Sequence, residues 1–341
     1  VSGRLTRLLA APALVAVALL GSAGPAAADA AGPTDYRTEI VALDPAVDGV
    51  TASVVGGDSF LRLEVAPGTE VLVVGYRGEP FIRFLPSGIV EENRRSPSWY
   101  LSQDRYGTTA VPADVTEDAE PDWVQVASDG SWAWHDHRSH WMGTAPPLGA
   151  EPGDVVLEAV VPLEVDGRAV DLSVRSTLQA APSRLPAVAV GVLAGVAVLA
   201  LARAAGLAGV GAALSGFAAV ALLVGTWAVR SVPAETGPSP LHWALALAAL
   251  VPAVAGALLA RRRPAHSGSA GPPILVGGLL ALAAAELVLW AWTRLDVLSA
   301  AILPTDAPFW LDRAATAAAF LAGVVALGVV LRTLLRRPTA A

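Results

Sequence analysis

Hydrophobic and polar positions divide the chain in two. Between residues 31 and 184 they alternate over short runs, and from Leu185 onward apolar residues follow one another in long blocks. In "FLRLEV" (60–65), Leu61, Leu63 and Val65 fall on one side of an extended chain and Arg62 and Glu64 on the other. That is the period-two signature of a half-buried strand. Turn signals recur at "GGD" (56–58), "PGT" (67–69), "RGE" (77–79) and "PSG" (86–88). Such regular spacing predicts an all-β sandwich or barrel. "DVVLEAVVPLEV" and "RAVDLSVRSTL" flank Asp166-Gly167, a turn pair that accepts positive φ, and predict a closing hairpin. Residues 31–184 are long enough to bury a core as one domain.

The second half predicts an all-α transmembrane bundle over 185–337. Five apolar segments, near 186–202, 207–228, 241–260, 273–293 and 312–331, each have the length of a bilayer-spanning helix. A further apolar stretch, "LLAAPALVAVALLG", follows Arg4 and Arg7 and precedes the small-residue run "PAAADA". This order predicts an export signal over 1–30, cut near Ala28 or Ala30, and places residues 31–184 outside the cytoplasm. The alternative is an uncleaved first membrane helix. With that orientation, Arg203, Arg261, Arg262, Arg263, Arg332, Arg336 and Arg337 lie on the cytoplasmic side with no acidic residue, ahead of a short tail at 338–341. Arg184, Arg230, Arg294 and Arg313 lie outside with Glu235, Asp296, Asp306 and Asp312. This agrees with the positive-inside rule for a multi-pass plasma-membrane protein. Trp227, Trp243, Trp290, Trp292 and Trp310 all fall at outer helix ends, where an interfacial belt places them. The outer loop "TRLDVLSAAILPTDAPFWLDR" is half apolar and is expected on the membrane surface. Glu286 is the only carboxylate inside a span, a candidate for a transport pathway or for a packing pair with Arg294 two turns later.

Composition narrows the chemistry. The chain is 54% hydrophobic with mean hydropathy +0.54, and it contains no cysteine and no lysine. Without cysteine, a metal must be held by imidazole, carboxylate, thioether or backbone oxygen. Residues 31–184 carry 24 Asp and Glu against 11 Arg. Such a domain attracts cations and repels polyanions, which excludes nucleic acid as a partner. The run "DVTEDAEPD" (114–122) lacks the spacing and turn glycine of a calcium loop and reads as a solvated loop.

Three of the five histidines and the only methionine sit in "GSWAWHDHRSHWMG" (130–143). On an extended strand, His135 and His137 point to one face at a spacing that can ligate one ion. His140 joins them if the chain turns at Arg138-Ser139. Asp136 is placed to orient an imidazole or to serve as a ligand, and Met142 adds a soft thioether. Trp132, Trp134 and Trp141 would shield such a site. Copper is the expected metal, with zinc the alternative. Against this stands a hydrogen-bonded surface network with no metal. No nucleophile elbow, phosphate loop or zinc-protease helix occurs, so an enzyme is not expected.

The opening "EIVALDPAVDGV" resembles the start of the copper resistance protein CopC family, a β-sandwich with an early Pro-Ala-x-x-Gly pattern. "EVDGRAVDLSV" is similar to that family's late Asp-Gly-His strand. The resemblance implies an Ig-like or CopC-like sandwich and copper outside the membrane, and in related fusions such a sandwich precedes a multi-helix membrane part. The chain departs from the pattern in having no histidine near residue 30 and in carrying Arg168 after Asp166-Gly167. The layout also resembles bacterial envelope proteins with an exported β domain and five spans. The expected function is membrane-anchored binding or delivery of copper, with the lipid bilayer and another envelope protein or metal carrier as partners. The alternatives are an envelope scaffold or interaction module without metal, and a small transporter using Glu286.

Overall fold

A computed structural model describes residues 30–262 and 271–335. Most of the expected export signal, Arg263 and the C-terminal residues from 336 lie outside the described residues. Ten strands come first: β1 (Tyr36–Asp44), β2 (Val50–Val55), β3 (Phe60–Val65), β4 (Val71–Val74), β5 (Pro80–Phe84), β6 (Val90–Asn93), β7 (Trp123–Ala127), β8 (Ser131–Trp134), β9 (Val155–Val165) and β10 (Arg168–Leu178). A short helix, α1 (Pro97–Leu101), interrupts them after β6. Four long helices follow: α2 (Leu185–Arg230), α3 (Leu241–Arg261), α4 (Gly271–Trp292) and α5 (Phe309–Leu335).

The strands form a sandwich-like domain of two antiparallel sheets. One has the order β1-β10-β9-β4-β5-β6-β7 and the other β2-β3-β8. The alternation in β3 holds: Leu61 and Leu63 are fully buried, while Arg62 and Glu64 face outward and pair at 3.2 Å. Val161, Leu163 and Val165 from β9 and Val170, Leu172 and Val174 from β10 meet Leu61, Leu63 and Trp134 in one core. The hairpin register runs Arg168 to Val165, and Asp166 and Gly167 take φ of 48° and 74°. A left-handed pair at both central positions matches the twist of the flanking strands.

All four long helices are apolar and long enough to cross a bilayer, which makes this a multi-pass membrane protein. The first two expected segments share the 46-residue α2, which would run ~69 Å if straight, against a hydrocarbon core of about 30 Å. It is not straight. Gly206 takes φ 58° and ψ −140°, non-helical values open to glycine. A Cβ on Gly191 would come within 2.8 Å of the Ala317 carbonyl, and one on Gly195 within 3.2 Å of Val325, so the first half of α2 runs alongside α5 in the same direction. Beyond Gly206 the order inverts: Gly211 abuts Ala257 and Gly225 abuts His242, so the second half is antiparallel to α3. Gly256 against Leu280 with Trp290 against His242, and Gly323 against Ala284 with Gly277 against Leu334, make α4 antiparallel to both α3 and α5. The two halves of α2 therefore run in opposite directions. Small residues at each crossing let backbones approach where lipid supplies no hydrophobic drive.

The β domain is seated on the bundle. Thr34 and Ile302 exchange backbone hydrogen bonds of 3.0 and 2.9 Å, and the Ala301 N–H donates to Asp35 Oδ1 at 2.8 Å. The loop carrying Ile302 is held against the β domain. Val297, Ala300 and Leu303 form a small buried cluster there, and Arg313 donates to the carbonyls of Val297, Ala300 and Ala301. The bridge and this guanidinium satisfy backbone groups that a surface loop would leave to water.

Two expectations for the bundle are corrected. Trp290 is not interfacial: it is fully buried and donates its indole N–H to the His242 carbonyl at 2.5 Å, whereas Trp227, Trp243, Trp292 and Trp310 are exposed. Glu286 is buried but does not pair with Arg294, whose Nη2 donates to both Asp312 oxygens at 2.6 and 2.7 Å. Arg294 lies past the end of α4, so it leaves the face it would share with Glu286 and turns to α5.

Candidate functional site

Strand β8 pairs only with β3, from Leu61–Trp134 to Glu64–Ser131, and ends at Trp134. The histidines therefore lie beyond the strand, and the same-face argument from strand parity does not apply to them. A turn orders them: the Ser139 N–H donates to the Asp136 carbonyl at 2.8 Å, reversing the chain at His137-Arg138, one residue before the expected place. Thr38 on β1 holds this turn by donating to the Ser139 carbonyl at 2.6 Å.

Asp136 does not face the imidazoles. Its carboxylate is fully buried and receives Arg138 Nε and Nη2 at 2.8 Å each, the Arg138 N–H at 3.0 Å and the Trp134 indole at 3.0 Å. Burial alone would raise its pKa, but the adjacent Arg138 guanidinium holds it below the usual carboxylate range. With its lone pairs occupied, Asp136 is the counter-ion of Arg138 rather than a ligand. Arg138 continues to the Val74 carbonyl at 3.0 Å and lies over the Tyr76 ring. Met142 is 37% exposed. Of the three tryptophans, Trp134 is buried, while Trp132 donates to Glu92 and Trp141 to the Ala145 carbonyl.

The turn brings the imidazoles together. The His140 ring lies 5.4 Å from that of His137 and 6.2 Å from that of His135, centroid to centroid. His135 stacks on Phe60 at 4.0 Å and His137 on Tyr76 at 5.6 Å. His137 Nε2 lies 3.1 Å from the Asp104 carbonyl, and His140 Nε2 lies 2.9 Å from the Arg105 carbonyl. A carbonyl only accepts, so each Nε2 carries a proton, and in the neutral ring this tautomer leaves the lone pair on Nδ1. The Nδ1 of His140 is buried without a hydrogen-bond partner. Among the described residues, no group of three or more His, Cys, Asp or Glu side chains is arranged to hold a metal ion.

The loop that supplies these carbonyls gave no signal in the sequence. Asp104 folds it locally by accepting from the N–H groups of Tyr106, Thr108 and Thr109. Burial opposes the charge, yet these donors hold the Asp104 carboxyl down at about 2. Gly107, at φ 63°, lies against the His137 ring, where a Cβ would stand 2.7 Å from Cε1. Arg105 is fixed in turn by the fully buried Asp58, with hydrogen bonds of 3.2 and 2.5 Å. A cavity of about 530 Å³ opens beside the cluster, lined by Tyr36, Ser59, Arg105, Tyr106 and His135 from the β domain and by Asp296 and Ser299 from the bundle loop.

Burial, aided by the nearby Arg105 charge, pushes His140 down to about 4. Its folded value thus lies below that of the unfolded chain, near 6.5. The fold keeps its full stability above pH 6.5 and loses it as pH falls toward 4, because the unfolded chain takes up a proton that the fold refuses. Between pH 7.5 and 5 the expected loss is about 2 kcal/mol. Thermal midpoints of the full chain in detergent at the two pH values should show it, and His140→Gln should reduce the difference by about that amount. An unchanged pH dependence in that variant would count against the assignment.

The chain matches no protein-family model, no curated protein and no solved structure.

Proposed function

We propose that this protein binds copper outside the membrane, through His137 and His140, on a β domain carried by a five-crossing bundle. The observation that carries the reading is the pair of Nε2–H···O=C contacts, to Asp104 and Arg105. Metal-bound imidazoles usually donate their other N–H to such an acceptor, which fixes the tautomer and aims the lone pair. An ion about 2 Å from each nitrogen sets two ring centroids about 5 Å apart at a tetrahedral angle and a little over 6 Å apart when collinear. The 5.4 Å separation falls in that range. Two imidazoles suffice for Cu(I), whereas zinc takes at least three protein ligands, so copper is the better match. The low proton affinity of His140 keeps it neutral, as a ligand must be. The CopC resemblance of the flanking sequence favours the same metal. The reversal at Gly206 supports five crossings, and the arginines at 203, 261 and 262 support a cytoplasmic far end.

The test is an anaerobic competition of the full chain in detergent against a colourimetric Cu(I) chelator. One ion per chain is expected, with affinity falling at least ~10-fold in His137→Gln and in His140→Gln. A second reading, an envelope interaction module without metal, draws on the seating of the β domain through Thr34, Asp35 and Ile302. In that case the same variants lower the thermal midpoint, and wild type takes no copper from the chelator.

A further inference from the structure

We infer that the bundle binds an anionic phospholipid in a cleft at its far end, away from the β domain. The cleft has a volume of about 730 Å³ and opens where α2 reverses at Gly206. Leu207 and Ala204 from that reversal, Leu259 from α3, Val276 from α4 and Val329 from α5 give it apolar walls, and Arg261 and Arg262 stand at its rim. A Cβ on Gly206 would meet nothing within 4 Å, so the reversal itself faces open space. Arg203 and Arg332 are exposed and adjoin residues that line the cleft. No Asp or Glu occurs in 200–215, 250–280 or 320–341 to neutralise this set.

Apolar walls within a membrane accept an acyl chain, and an unopposed cluster of guanidinium groups at the mouth selects a phosphate. Guanidinium offers a planar donor fork that fits phosphate oxygens in pairs. Basic pockets between membrane helices are suited to anionic head groups in this way. A zwitterionic lipid brings a compensating cation close to the arginines and gains less. The occupant that fits both parts of the cleft is therefore a phospholipid with a net negative head group, phosphatidylglycerol being the simplest probe.

Native mass spectrometry of the full chain, released from micelles containing equal phosphatidylglycerol and phosphatidylcholine, tests this. One retained phosphatidylglycerol is expected, favoured at least ~10-fold over phosphatidylcholine. The triple variant Arg203→Gln, Arg261→Gln, Arg262→Gln should bring the two lipids near parity. Ala204→Trp keeps every charge but fills the cleft, and should abolish retention. Equal retention of the two lipids by wild type overturns the proposal, as does wild-type behaviour in either variant. A soluble glycerol phosphate that raises the thermal midpoint as much as phosphatidylglycerol would also overturn it, since the ligand would then be a free phosphate.

Discussion

Replacing Asp312 with alanine should destabilise the bundle by about 3–5 kcal/mol, read as an earlier unfolding midpoint on titration of the detergent-solubilised chain with SDS. Asp312 and Arg294 are 2% and 5% exposed, and one guanidinium nitrogen contacts both carboxylate oxygens. Without Asp312, a cation remains buried with no counter-charge. Arg294 also lies over the Trp290 ring, and that indole holds the start of α3 through the His242 carbonyl, so the damage spreads to three helices. The double variant Arg294→Met, Asp312→Leu separates charge from packing. It removes both ions together and should recover at least half of the loss. If it is as unstable as the single variant, the ion pair is not the cause.

The second large effect is expected in the β domain. Asp136→Asn keeps the shape of the side chain but strips the charge facing Arg138. The cost should again be about 3–5 kcal/mol, because Arg138 is largely buried and is left with neutral partners alone, the amide oxygen, the Val74 carbonyl and the Tyr76 ring. Trp134 donates to the same carboxylate, so its fluorescence should report the change directly. The His137 N–H donates to the hydroxyl of Tyr76, and Arg138 lies over the ring of that tyrosine, so the imidazoles should also lose their order. An Asp136→Asn protein with wild-type stability and wild-type copper affinity would show that this network does not position the histidines.

Local patterning carried the broad architecture. The alternation of Leu61, Leu63 and Val65, the Asp166-Gly167 turn and the apolar blocks after Leu185 are each written within a few adjacent residues. Even the reversal at Gly206 left a trace, as a gap between two apolar segments. The histidine cluster was legible as a concentration of a scarce residue but not as a geometry. Its tautomers depend on the carbonyls of Asp104 and Arg105, more than thirty positions earlier, and Arg105 depends on Asp58, 47 positions earlier still. Contacts over such separations leave no periodic mark. Trp290 and Arg294 were misread for the same reason. Their position along a helix suggested an interface and a pairing within α4, whereas neighbouring helices determine what they touch.

The first and last strands of the β domain lie side by side, β1 against β10, and two of its moorings to the bundle leave from that margin. One is the short connector from Leu178 to Leu185, and the other is the Thr34–Ile302 bridge. Together with the packing of β8 on residues 234–236, these two tethers resist swivelling of the β domain. The β domain, and the imidazole cluster it carries, is therefore held in one orientation relative to the helices.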